Sequence, residues 1–271
     1  PYGKWNEEVK SYLYKIHPYR QTTIGKMEHL DAATLDEFMA FNTKYYVPNN
    51  AVLSVAGDID IPQTKKWIDD YFGSIPKGSY ITRKFPQENP ITQTIKEEAF
   101  DSNIQIPAIF LAYRTPGRNS RDARVLDVIS TYLSQGKSSK LYKKLVDDKK
   151  MSLQVAAFNM NNEDYSTYVI LSLPMGETQL ETLITEIDEE VVKIQKELIS
   201  EKDYQKLQNQ FESNFVNSNS TIEGIANSLA EYYAFYNGDT NLINNELDIY
   251  KSISRKEIRK VAQKYLNPNQ R

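Results

Sequence analysis

Spacing of apolar residues separates helical stretches of this chain from extended ones. Apolar positions in residues 6–16 fall three and four apart, which predicts a helix that stops before Pro18. Thr34 stands three residues ahead of Glu37, so hydroxyl and carboxylate can each satisfy the other's end of a first turn. That helix is expected to run to about Tyr46 and to stop before Pro48. Residues 51–56, apolar apart from Ser54, read as a short strand, turned by Gly57-Asp58. Residues 61–72 predict another helix, with Trp67, Ile68, Tyr71 and Phe72 on one side. Apolar residues then thin out through GSIPKGS and RKFPQENP, which marks a connector running over the surface.

Residues 92–99 lead into 106–113 (IPAIFLAY), expected as a central strand. Helices are predicted from Asn119 or Ser120 to Leu133, and from Ser138 or Ser139 to Val146. Residues 154–161 and 165–173 read as strands meeting at the hairpin-like NNED. From there to Leu266 the chain reads as helices, at 201–217, 221–236, 241–251 and 254–266 after a first long one. In that first helix Leu180, Leu183, Ile184, Ile187, Val191, Ile194 and Leu198 form a single stripe, read as core, with a partner-binding face as the other reading. Strands grouped, then helices grouped, argue an α+β fold in which helices cover one face of a sheet.

The pattern is also written twice. TLDEFMAFNTKYYVPNN from Thr34 and SRKEIRKVAQKYLNPNQ from Ser254 align at a constant shift of 220 residues. The shift superposes Glu37 on Glu257, Lys44 on Lys264, Tyr45 on Tyr265, Pro48 on Pro268 and Asn49 on Asn269. A repeat of that period predicts two related domains. The first copy continues into AVLSVAGDID, whereas the second reaches Arg271. The expectation is therefore a first domain truncated at its N-terminal side (1–77), a linker (78–88), and a second domain lacking its last strand (89–271).

Composition narrows the chemistry. Net charge is −3, too balanced to point to nucleic acid or an anionic membrane, and no apolar run reaches the length of a membrane span. With no cysteine there is no disulfide, no thiolate metal ligand and no cysteine nucleophile. There is no HExxH, HxxEH, GxSxG or phosphate-binding glycine loop, and the two histidines stand apart at His17 and His29.

Few positions remain as candidates. His17, in HPYR after a helix, reads as a substrate-facing loop residue or as a histidine meeting the last helical carbonyls. Tyr19 shares that loop. Glu28-His29 is poorly arranged for one ion, because neighbours in sequence point in different directions. Arg114 and Arg118 flank a strand end and turn, where they can hold a carboxylate or stand as solvated loop charges. The EYYAFY cluster at 231–236 is either a binding surface or the half-buried side of an amphipathic helix.

The runs HPYRQTTIGKMEHLDAATLDEFMAFNTKYYVPNNAVLSVAGDID and IPQTKKWIDDYFGSIPKG resemble the pitrilysin/insulinase-type zinc metallopeptidases, as do IPAIFLAYRTPGRNSRDARVLDVIS and LSQGKSSKLYKKLVDDKKMSLQVAA. More narrowly they are similar to the bacterial branch near the mitochondrial processing peptidases. The resemblance covers essentially the whole chain, and its most telling element is Tyr-Tyr-x-Pro-x-Asn, strand, Gly-Asp. It implies two processing-peptidase-like domains facing each other across a cavity, with the zinc motif HxxEH and a further glutamate ligand in the first. Zinc would hold a water there, and the motif glutamate would act as general base. By the shift of 220 that helix precedes Pro1, and its counterpart here is the stretch ARVLDVIS within 122–133, which has no histidine.

The resemblance thus implies no catalytic residue and no metal ligand in this chain, and zinc only in the intact parent. It leaves His17, Tyr19 and Arg114 as candidates for contact with a substrate. The family's substrate-gripping arginine and tyrosine align with Val146 and Leu153, neither of which can hydrogen-bond a peptide through its side chain. That departure implies either strand addition to a sheet edge or a partner subunit. The implied partners are a peptide or unfolded protein, with a homologous subunit or a homodimer beside it. A non-catalytic scaffold subunit of the same family and a peptide-binding module are the alternative functions. The compartment stays open between the bacterial periplasm or envelope and the cytoplasm.

Overall fold

Pairing, rather than apolar character, decides which of the expected strands form. The computed structural model describes residues 2–271, so Pro1, where the first domain's remnant was expected to begin, lies outside the described residues. Strands β1 (Ile109–Pro116), β2 (Ser152–Met160) and β3 (Tyr165–Pro174) make an antiparallel sheet in the order β1-β3-β2. The hairpin expected at NNED joins β2 to β3. The strand expected to be central is an edge strand instead. It starts three residues late, at Ile109, and among the described residues pairs only with β3. β3 is the inner strand, and its residues from Ser166 to Ile170 are all buried. Residues 51–56 form no strand among the described residues. Extended backbone becomes a strand only when a neighbour takes its N–H and C=O groups.

Strand alternation sorts the sheet into two faces. Ile109, Leu111 and Tyr113 share one face with Val155, Ala157, Tyr168 and Ile170. That face packs on α5 (Arg121–Ser134), α6 (Leu180–Lys196) and α10 (Arg255–Tyr265), through Val125, Ile129, Leu183, Ile187, Ile258 and Val261 among others. The predicted stripe on α6 is therefore core: Leu183, Ile187, Val191 and Ile194 are buried in it. Each such side chain withdrawn from water contributes about 1.5–3 kcal/mol. On the other face lies α1 (Trp5–Leu13), whose Trp5 stacks on Phe110 at 5.0 Å and meets Phe158 edge-on at 6.1 Å. Just beyond it the buried Tyr14 sets its hydroxyl 3.1 Å from Thr167 Oγ1.

One predicted helix takes another form. Tyr142–Asp148 is a π-helical turn, closed by Lys149 N–H donating to Lys144 O at 3.0 Å. It buries Leu145 and sends Lys144 Nζ to Glu189 at 2.9 Å and Glu190 at 3.2 Å. The later helices, α7 (Glu201–Ser218), α8 (Ile222–Phe235) and α9 (Leu242–Lys251), lie close to their expected bounds.

Contacts divide the chain into two compact units. The first holds the chain up to Thr22, Pro86–Glu212 and Leu247–Arg271, and contains the sheet and its core. The second holds Thr23–Phe85 and Ser213–Glu246. Within the second, α2 (Met27–Ala32), α3 (Leu35–Tyr45) and α4 (Ile61–Phe72) bury no residue. Asn49 and Gly78 exchange two hydrogen bonds, at 2.8 and 3.2 Å, that tie the turn after α3 to the stretch after α4.

The repeat is visible in the backbone. α3 and α10 begin with the same capping box, Thr34 with Glu37 and Ser254 with Glu257. Both run eleven residues and both lead into a 3₁₀ turn, Pro48–Asn50 and Pro268–Gln270.

Candidate functional site

By the shift of 220 residues, α5 is the counterpart of the helix on which the resemblance places the zinc motif. Ser120 caps it by accepting from Asp122 N–H at 3.1 Å. ARVLDVIS lies along its middle, with Ala123, Arg124, Val125, Leu126, Val128 and Ile129 buried. Asp127 is committed elsewhere: Asn161 Nδ2 donates to its carboxylate at 3.1 and 3.3 Å, and Tyr250 Oη donates at 3.0 Å. Burial pushes the Asp127 carboxyl up to about 6, against the pull of those two donors. The helix presents a buried guanidinium, a carboxylate already held by an amide and a phenol, and apolar side chains. These residues do not fit a zinc ion, which needs imidazole, thiolate or free carboxylate donors converging on one point. Among the described residues no group of three or more His, Cys, Asp or Glu side chains converges for a metal. His29 and Glu28 are exposed and 3.9 Å apart.

The three substrate-contact candidates come together in one cluster. His17 is buried, its ring 4.3 Å from Tyr19 and 5.3 Å from Tyr165. The Arg114 guanidinium lies over Tyr165, 5.6 Å from the ring centre. Neither sequence reading of His17 describes its bonds. Its Nδ1 accepts from Tyr19 N–H at 3.2 Å, capping the 3₁₀ turn Pro18–Arg20, while Nε2 stands 3.4 Å from Asp164 Oδ2. Arg114 is no solvated loop charge either. It donates to Leu13 O at 2.8 Å, to Glu88 Oε2 at 3.3 Å and to Asn89 O. Arg118 is likewise engaged, with Asn161 O at 2.9 Å.

At the centre of the cluster is a residue that sequence reasoning passed over. Glu88 sits in the stretch taken for a surface connector, yet its side chain is only 3% exposed. Its Oε1 accepts from three consecutive backbone N–H groups, Lys15 at 2.7 Å and Ile16 and His17 at 2.8 Å. Burial works against the charged form, but the three amides and Arg114 outweigh it and hold the carboxyl below its usual range. A peptide docking here would have to displace bonds already made within the chain.

The two positions that stand for the gripping pair lie apart in character. Val146 is in the π-helical turn, packed against the core. Leu153 is the extra residue where β2 slips register against β3, and is 48% exposed. Ser152 pins that bulge, its hydroxyl bonding Gln154 O, Ser172 Oγ and Leu173 O at 2.7–2.9 Å. Leu153 lines an open recess of ≈ 350 Å³ with Ile106, Pro107, Pro174 and Leu180.

The profile of the peptidase M16 inactive domain matches residues 32–211, most of the chain. The chain belongs to the peptidase M16 inactive-domain family. Among curated relatives, the zinc protease PqqE of Helicobacter pylori is 26% identical over 221 residues, covering 81% of this chain and 50% of that protein. The chain thus spans about half the length of the curated relatives it matches. A protease from Helicobacter pylori has the same fold, at a TM-score of 0.87 and 23% identity over 100% of this chain and 65% of that one. So does the peptidase M16 inactive domain from Pseudomonas fluorescens, at 0.84 and 17% over 98% and 62%. M16 membership accounts for the α+β architecture.

Proposed function

We propose that this chain is the non-catalytic portion of a two-domain zinc-dependent endopeptidase. In this reading residues 1–77 are the end of the catalytic-type domain, 78–88 the linker and 89–271 the partner domain. The chain supplies cavity wall and substrate docking, while metal and general base belong to residues outside it. The intact parent hydrolyses peptide bonds of short or unfolded chains enclosed between its domains.

The observation that carries the reading is the pairing of family membership with the content of α5. The matched domain is the inactive one, and its helix at the motif position holds Asp127 in a closed hydrogen-bond network rather than free for a metal. The 220-residue repeat supports a duplicated parent, since α3 and α10 share cap, length and following turn.

The test measures zinc by mass spectrometry, and cleavage of a fluorogenic peptide and of unfolded casein, on the purified chain. The same assays are then run on the full-length parent. Sub-stoichiometric zinc and no cleavage by the chain, with zinc-dependent cleavage by the parent, is the expected result. One tightly held zinc per chain would overturn the reading. Peptide affinity without turnover in the zinc-loaded parent would favour a peptide-binding module instead.

A further inference from the structure

The turn that follows α1 is capped by a ring that can accept a hydrogen bond only while it is neutral. His17 is the N-cap of the 3₁₀ turn Pro18–Arg20, a position that ordinarily takes Ser, Thr, Asp or Asn. Its Nδ1 accepts from Tyr19 N–H at 3.2 Å, so the neutral ring carries its hydrogen on Nε2, which stands 3.4 Å from Asp164 Oδ2. Protonation adds a hydrogen at Nδ1 itself. Two donors would then face each other, and the cap would be lost while Nε2 keeps its carboxylate. The other side-chain caps described are hydroxyls, a carboxylate and an amide, which accept whether the solution is neutral or mildly acid.

The surroundings confine the effect to the turn. The His17 side chain is 1% exposed. Charged groups reach the cluster from three other elements: Asp164 from the hairpin joining β2 to β3, Glu88 from the connector and Arg114 from β1. The phenol rings of Tyr14, Tyr19 and Tyr165 lie 6.1, 4.3 and 5.3 Å from the imidazole. Glu88 is held below the ordinary carboxylate range, so it stays ionised in mild acid and keeps its bonds to Lys15, Ile16 and His17 N–H. The backbone ahead of the turn therefore remains anchored when the cap goes. Beyond the turn the first unit's opening stretch ends at Thr22, and the chain passes to the second unit.

We propose that His17 is a proton-operated latch on this passage: the neutral ring closes the Pro18–Arg20 turn, and the imidazolium opens it. Histidine is the side chain whose charge changes between about pH 5 and 8, so the latch works near neutrality. Asp164 holds the ring in both states, and the movement falls on residues 18–22. The latch belongs to this chain's own residues and does not depend on the proposed function.

The experiment follows exchange of the Tyr19 amide by NMR in the full chain at pH 7.5 and pH 5, corrected for the intrinsic rate. Its protection should fall about tenfold in acid, the worth of one hydrogen bond, while the sheet amides hold. His17→Asn supplies an oxygen that accepts from the N–H two residues on, and should keep the turn closed at both values. Asp127, pushed up to about 6 by burial, bonds Asn161 in the same hairpin and titrates in the same window, so Asp127→Asn is the control and should leave the Tyr19 response intact. Ring-nitrogen shifts of the wild type, with only two histidines to assign, give a readout free of any variant. They should show the hydrogen on Nε2 at pH 7.5 and on both nitrogens at pH 5. Equal protection of Tyr19 at the two values, a response that survives His17→Asn or vanishes in Asp127→Asn, or a neutral ring protonated at Nδ1 each overturns the inference.

Discussion

Asp127→Asn tests how the closed network on α5 stores pH dependence. The carboxyl is buried and accepts from Asn161 and Tyr250, and burial raises it from its ordinary value of 3.8 to about 6. Between about 3.8 and about 6 the native state therefore holds a proton that the unfolded chain releases. Stability from this group is fully present below about 3.8 and is lost as pH rises through about 6. A two-unit gap amounts to about 3 kcal/mol at neutral pH, as an order of magnitude. Asparagine removes the buried charge and keeps one acceptor, but turns an amide donor toward Asn161 or Tyr250, and that mismatch costs about 1–3 kcal/mol. The variant should thus be close to wild type in stability at pH 7 and clearly less stable near pH 4, where the wild-type carboxyl is protonated and uncharged. Urea unfolding followed by circular dichroism between pH 4 and 7.5 measures this directly. A wild-type stability that does not fall relative to the variant between pH 4 and 6.5 would refute the reasoning.

Other outcomes follow from the same geometry. Glu88→Gln keeps the shape but removes the charge that three amides and Arg114 share, and should destabilise the first unit by about 3–5 kcal/mol, read from the urea midpoint. Hydrogen exchange in that variant should rise first at residues 13–20 rather than in the sheet, since Glu88 holds their backbone. Thr34→Ala and Ser254→Ala delete matching caps, each worth about 1 kcal/mol. Ser254→Ala should lower the main unfolding midpoint, because α10 is core, whereas Thr34→Ala should show only as faster exchange in α3.

Much of the fold was legible in the chain. Thr34-x-x-Glu37 and Ser254-x-x-Glu257 announce their helices because a capping box closes within four residues. The α6 stripe is readable because a helix with one apolar face has to bury it. The failures are all non-local. Residues 51–56 have a strand's sequence but pair with no strand among the described residues, and β1 reads as central though it stands at the edge. The π-helical turn at Tyr142–Asp148 has no signal in the spacing of its apolar residues.

The candidate cluster divides in the same way. His17, Tyr19 and Arg114 could be named from their loop and strand-end positions. Glu88, which organises them, could not, because an acidic residue between prolines reads as solvated connector. Asp127 offered a faint signal, a single carboxylate within apolar ARVLDVIS.

By itself the sequence determined most of the helices, their caps, the repeat at 220 residues and the absence of any HxxEH or HExxH pattern. Those are properties of neighbours three, four or 220 residues apart, read by counting. Tertiary structure alone decided that residues 51–56 pair with no strand among the described residues, that α10 is core while α3 buries no residue, and that Glu88 gathers three amides and an arginine. Burial and pairing depend on what arrives from elsewhere in the chain, and the same local pattern meets different partners in its two copies.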